Sequence, residues 1–506
     1  MDFTSSLFSL AFYFIVLCLC IYVLTSNLRS RKSRFLLPPG PYQYPIIGNL
    51  HQIGKMPHQS FAKLSKIYGP LMSVRLGSKL TMVVSSPEIA REVLQKNDHI
   101  CSGRSLPNAA YSLDHHKFSL LWLPPSTRWR NLRKICREQM FSTQRLDASQ
   151  ALRQEKLKEL RDYVHSCSNT RKAIDIGEAA FTTSLNLISR TLFSVDFGNY
   201  DSDSSQELKD IVWGVMKNIG SPNVSDYFPV LQPIDPQGIM RDTKSCIQSL
   251  FNIFGGIINQ RLIARESASS ETMKIDLLDA LLDENGKNEA EFSFNALKHL
   301  LLDLFIAGTD TTSGTVEWAM AELLRNPEKL QKGREELNLA TGLEKGVVQE
   351  SDISRLPYLQ SIVKETFRLH PPGPLLAPHQ ASEDVEINGY TVTKDTQILV
   401  NAYAIGRDEI WEEPEMFKPE RFLESEIDIK GKHFELIPFG AGRRICPGLP
   451  LAYRMVHLML ASLIHNIDWK LEGVIEPQEL NMDEKFGLTV QKAIPLKAIP
   501  ALWQVY

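Results

Sequence analysis

The ten residues Phe439-Gly440-Ala441-Gly442-Arg443-Arg444-Ile445-Cys446-Pro447-Gly448 constrain this chain more than any other stretch. Two glycines shortly before a cysteine, and one just after it, let the backbone bend tightly and approach a flat cofactor. Backbone N–H groups directed at the sulfur stabilise a thiolate and set its donor strength. Arg444, two residues before the cysteine, brings a fixed positive charge within reach of an anionic group. Leu449 to Ser462 reads as a helix, whose N-terminal dipole favours negative charge on the sulfur. A lone cysteine in a glycine-rich loop is usually buried and inert. That reading leaves Phe439, three glycines and Arg444 at fixed offsets unexplained.

Composition excludes several alternatives. A net charge of −3, from 56 basic and 59 acidic residues, rules out a strongly basic nucleic-acid binder. Seven scattered cysteines with no CxxC pair indicate neither a disulfide framework nor a structural zinc site. Leu7 to Leu24 is apolar except for Ser9, at the short end of what crosses a bilayer as a helix. Arg29, Arg31, Lys32 and Arg34 follow, and the positive-inside rule then leaves the remainder in the cytoplasm. A cleaved signal would want a basic leader and a small-residue cleavage site, and neither is found. The sequon at Asn223 is then expected to stay unused. The chain divides into an anchor over 5–25, a basic and proline-rich linker over 26–47, and one catalytic domain over 48–506. Pro38-Pro39-Gly40-Pro41 makes the linker stiff and extended.

Within the domain, Leu71 to Ser85 alternates as a hairpin, and Val385 to Val400 reads as a second one turning at Asn388-Gly389. Nearly everything between has helical spacing. Leu297, Leu300, Leu301, Leu304 and Gly308 share a face of a long helix closed by Pro327. Another helix runs from about Tyr358 to His370 and stops at Pro371-Pro372. The spacing predicts a mainly α fold with a minor β region.

Three further patterns carry chemistry. Glu365 and Arg368 share a helix face at i and i+3. Ala307-Gly308-Thr309-Asp310-Thr311-Thr312 places glycine and threonines in a helix interior, where they cost stability, together with a charge that needs a reason. Trp129 and Arg133 face the same way one turn apart. His115-His116 reads as a solvated pair in a polar loop.

The loop at Cys446 resembles the haem-binding loop, FxxGxRxCxG, of the cytochrome P450 superfamily, and the three other motifs follow that family's order. The resemblance implies haem b held between a long central helix and the cysteine loop, with Cys446 as axial ligand to the iron. Phe439 and Gly440 would cradle it, and Arg444, Trp129, Arg133 and His379 would meet its propionates. Thr311 and Asp310 would relay protons, small Ala307 and Gly308 would leave room for oxygen and substrate, and Glu365, Arg368 and Arg421 would form a structural network. The chain has no GxGxxG and no P-loop, so electrons are expected from NADPH through cytochrome P450 reductase in the endoplasmic reticulum membrane. Lys432 and Arg443 are candidates for its docking. The anchor adds membrane lipid as a partner; no nucleic acid is expected.

More narrowly the chain is similar to the plant group containing geraniol 8-hydroxylase and related terpenoid oxidases, on Pro107-Asn108-Ala109, Leu121-Trp122-Leu123-Pro124, Glu317-Trp318-Ala319-Met320 and Glu484 to Thr489. This implies hydroxylation of a monoterpene alcohol such as geraniol or nerol at an allylic methyl, C8. His379-Gln380 departs from the Arg-Lys of close geraniol-oxidising relatives, and a sesquiterpene or abietane-type diterpene is the alternative. The pocket candidates are Phe305, Ile306, Ala307, Leu375, Leu376 and Leu488. A haem isomerase or dehydratase of the same fold would lose the acid–threonine pair, which is intact here. A non-enzymatic membrane scaffold would need no cysteine loop.

Overall fold

Leu71 to Ser85 forms the hairpin its alternation predicts: β1 (Leu71–Leu76) and β2 (Lys79–Val84) pair antiparallel around Gly77-Ser78. The structure is a computed structural model that describes Tyr13 and residues 36–502, apart from 201, 268–275, 288–291, 342–346 and 474. Apart from Tyr13, the apolar run and the basic cluster, and with them the expected anchor, lie outside the described residues. Among the described residues no helix is long and apolar enough to cross a membrane.

Helices begin and end where local chemistry dictates. α1 (Thr127–Cys136) is capped by Ser126, whose hydroxyl accepts the Trp129 N–H at 3.2 Å. α2 (Ile176–Phe193) opens on Asp175, which caps it through the Glu178 N–H. α3 (Phe294–Arg325) is capped by Ser293 and ends ahead of Pro327. α4 (Pro357–Leu369) takes proline at its first position, where no N–H is missed, and stops before Pro371. α5 (Leu449–Ile464) follows the cysteine loop. Leu297, Leu300, Leu301 and Leu304 of α3 are buried, as their spacing predicts, each contributing roughly 1.5–3 kcal/mol. α3 runs through the core against α2, α4 and α5.

The second hairpin is shorter than expected. β5 (Val385–Ile387) and β6 (Tyr390–Val392) pair across Asn388-Gly389, both with φ near the left-handed region at +50° and +77°. The rest of the expected hairpin, β7 (Gln397–Val400), instead pairs parallel with β2. Alternation fixes which side chains share a face, but it does not name the neighbouring strand. With β3 (Gly103–Arg104) and β4 (His379–Gln380) these form a five-stranded sheet in the order β1-β2-β7-β4-β3. A small hairpin of β8 (Glu484–Phe486) and β9 (Val490–Lys492) reaches back to the middle of α3.

Candidate haem site

A cavity of about 340 Å³ separates the middle of α3 from the cysteine loop, and its wall is mostly apolar. Cys446, Phe439 and Gly440 line it from the loop; Ile306, Ala307, Gly308 and Thr311 line it from α3. The loop keeps its shape because Gly442 has φ +64° and lies where a Cβ would fall 1.9 Å from the Leu94 carbonyl oxygen. No side chain fits there. The Cys446 N–H donates to the Phe439 carbonyl at 2.9 Å, closing the turn, and the Phe439 ring meets Phe367 of α4 edge-on at 5.2 Å.

Burial pushes the Cys446 thiol up, opposed by the backbone N–H groups of Gly448 and Leu449 and by the charge of Arg133. Those N–H groups belong to the opening of α5, where the helix leaves donors unpaired. They are directed at the sulfur as the glycine spacing requires.

At one end of the cavity three guanidinium groups gather. Arg133 donates to the Ile445 carbonyl at 2.7 Å, tying α1 to the loop. Arg444 donates to the carbonyls of Ser102 and Leu123, and its Nη1 is buried without a partner. Its guanidinium lies 4.5 Å over the Trp129 ring. The third is Arg104, which donates to Ala377 at 2.7 Å. Burial and the charges of Arg444 and Arg133 push the Arg104 pKa well down, and burial brings Arg444 to about 10. Among the described residues no carboxylate pairs with any of the three. Buried cations are normally paired, so this cluster is built for an anion from outside the chain.

Arg104 was invisible in the sequence. No motif marks it, and its partner Ala377 is 273 residues away. It opposes His379 across the β3–β4 ladder. His379 donates from Nδ1 to the Cys101 carbonyl at 2.8 Å, since a carbonyl only accepts. Burial and the Arg104 charge hold its pKa well below 6.5, and the residue lines the cavity. Trp129 likewise spends its indole N–H on Leu120 and offers its ring face to Arg444. Trp122, on the same wall, has an indole N–H without a partner.

In α3 the hydroxyls of Thr309, Thr311 and Thr315 each bond to a carbonyl four residues back, at 2.7–3.0 Å. Such bonds loosen a turn. A Cβ at Gly308 would come within 2.8 Å of Ile188 in α2, so the missing side chain there also admits the neighbouring helix. Thr311 lines the cavity, whereas Asp310 is buried beside it, accepting hydrogen bonds from Thr489 at 2.5 Å and from Gln491. Burial raises the Asp310 pKa against those two bonds. Thr489 touches both Asp310 and the cavity.

Of the pocket candidates, Ile306, Ala307, Leu376 and Leu488 line the cavity. Phe305 does not: it is buried against Phe197 and Phe254, on another face of α3. Leu375 does not either, and lines a neighbouring cleft instead. Helical phase separates Phe305 from its neighbour, and the strained φ of +50° at Leu376 turns the chain between the other two. His115 is also misread as solvated. It is buried, 2.9 Å from the Nδ1 of His299, and lines the cavity. Arg443 pairs with Asp98 at 3.0 Å and remains half exposed.

Away from the cavity, Glu365 is fully buried. It accepts from Arg368 at 2.7 and 2.8 Å, from Arg421 at 3.0 Å and from the Lys418 N–H at 2.7 Å.

A porphyrin carrying two carboxylates fits this place: the cysteine sulfur would meet its iron, the glycine turn its plane, and the guanidinium groups, which pair with no carboxylate, its propionates. Such a site defines a haem-thiolate oxygenase. Residues 38–496 match the family Cytochrome P450, and the chain belongs to it. It is 62% identical to cytochrome P450 76T24 of Catharanthus roseus over 95% of this chain and 96% of that one. It is 52% identical to geraniol 8-hydroxylase of Swertia mussotii over 94% and 95%, and 49% identical to ferruginol synthase of Salvia miltiorrhiza over 94% and 96%. The chain is therefore a haem-dependent monooxygenase that draws electrons from a redox partner.

Proposed function

We propose that the enzyme hydroxylates a monoterpene alcohol such as geraniol or nerol at the allylic C8 methyl. The observation that carries this reading is the 52% identity, over nearly the full length of both chains, to a protein named geraniol 8-hydroxylase. The wall formed by Ile306, Ala307, Leu376 and Leu488 is apolar, which suits a terpenoid.

When bound, haem supplies the activation of O2 and the insertion of one oxygen atom into a C–H bond. Cys446 would hold the iron. Arg104, Arg133 and Arg444 would hold the propionates, with Trp129 as the platform under Arg444. Thr311 positions water beside the reacting centre, and Asp310 returns protons to it through Thr489. Ile306, Ala307, Leu376 and Leu488 exclude bulk water and shape the substrate end. Electrons come from NADPH through cytochrome P450 reductase. The segment 5–25 anchors the enzyme in the endoplasmic reticulum membrane, 26–47 is the linker, and 48–506 is the catalytic domain in the cytoplasm.

A second reading, oxidation of an abietane-type diterpene, is favoured by the 49% identity to ferruginol synthase. The test is a product profile with reductase, NADPH and a panel of terpenes. The first reading expects 8-hydroxygeraniol as the main product. Turnover of a diterpene alone would establish the second, and absence of turnover across all terpenoids would sink both.

A further inference from the structure

Seven ionisable side chains stand on the cavity wall among the described residues. Cys446, Arg104, Arg133, Arg444 and His379 belong to the haem end. The other two, His115 and Asp303, are unused by anything above. A carboxylate and an imidazole on the wall of a mostly apolar cavity offer a polar group on a bound molecule an acceptor and a donor side by side.

The pair is built rather than incidental. Asp303, on α3, accepts the Ser119 hydroxyl at 2.9 Å and the Leu120 N–H at 2.6 Å, so its carboxylate is fixed against the loop before α1. His115 comes from the same loop, and its Nε2 lies 3.3 Å from Asp303 Oδ1. A carboxylate facing Nε2 favours the proton on that nitrogen, so Nδ1 accepts from His299 Nδ1 at 2.9 Å. Burial holds the His299 pKa down, at about 4, and its ring stacks on Phe118 at 5.1 Å. A separation of 3.3 Å exceeds that of a good charge-assisted bond, about 2.7–2.9 Å. The His115 N–H can therefore share itself with a second acceptor.

We infer that His115 and Asp303 bind the hydroxyl group of the substrate and fix which end of it is oxidised. The substrate O–H donates to the Asp303 carboxylate, and its oxygen accepts from His115 Nε2–H. This rests on the terpenoid-alcohol reading and deepens it. Asp303 and Thr311 are eight residues apart on one helix, roughly 12 Å at 1.5 Å per residue, with Ala307 on the wall between them. An extended C10 alcohol spans eight bonds from its oxygen to its far methyl, roughly 10 Å at about 1.2 Å per bond. Holding the oxygen at Asp303 therefore presents the far methyl near Thr311, and a shorter or reversed molecule would not reach.

The experiment compares spectral binding constants of matched pairs: geraniol against 2,6-dimethylocta-2,6-diene, and farnesol against 2,6,10-trimethyldodeca-2,6,10-triene. Wild-type enzyme is expected to bind at least one alcohol about tenfold or more tighter than its hydrocarbon. His115→Phe, with its carbon monoxide band intact, should bring that ratio below about threefold and scatter the oxidation sites, while His115→Gln restores part of both. Asp303→Asn should act in the same direction. Equal binding of alcohol and hydrocarbon by the wild type would overturn the inference, and so would a preference unchanged in His115→Phe. Preference for farnesol alone, lost in His115→Phe, would keep the inference and remove the monoterpene reading.

Discussion

Arg104 and His379 face each other across two short antiparallel strands, and the arginine's charge helps keep the histidine ring neutral. Among the described residues, Arg104, Arg133 and Arg444 bring the fixed positive charge at this end of the cavity. Removing Arg104 takes one charge-assisted partner from a propionate, about 1.5–3 kcal/mol. Arg104→Leu should lose haem roughly ten- to a hundredfold faster, followed by transfer to apomyoglobin, with His379→Gln affected less. An unchanged rate would show that Arg133 and Arg444 suffice.

Cys446→Ser replaces a soft thiolate with a poorly donating hydroxyl. The reduced carbonyl complex should lose its red-shifted Soret band, and hydroxylation should fall to background. A variant that kept both would refute the ligand assignment.

The acid–threonine pair makes a prediction with a sign. Thr311→Ala should raise hydrogen peroxide formed per NADPH several-fold while haem content stays constant. Gln491→Leu deletes a hydrogen bond that lowers the Asp310 pKa while leaving Thr489 in place, so that pKa, already raised by burial, climbs further. A carboxyl with a higher pKa ionises at higher pH, so the acidic limb of coupled turnover should move upward in pH. A profile that moved the other way, or not at all, would remove Asp310 from the proton route.

Glu365 is the common acceptor for two buried guanidinium groups, with Arg368 and Glu365 side chains at 0% exposure. Glu365→Ala leaves Arg368 buried and uncompensated, which costs roughly 3–5 kcal/mol. Little holoprotein should accumulate, and what does should melt many degrees lower. A denaturation midpoint within error of wild type would mean that the carbonyls of Gly406, Pro414 and Met416 carry Arg368 by themselves.

Local chemistry determined much of this protein. The glycine spacing before Cys446, the serine caps and proline stops of the helices, the Thr81 to Val84 return strand and the Glu365–Arg368 turn are all set by residues a few positions apart, and each could be read directly. What lay beyond reach were partnerships over long separations. Whether Val400 continues a hairpin or joins β2, whether Phe305 or Ile306 meets the cavity, and that Arg104 stands beside His379 all depend on how distant segments pack. So does the burial of His115 against His299 and Asp303. A side chain's type fixes the chemistry available to it, but only the folded chain decides which neighbours take it up.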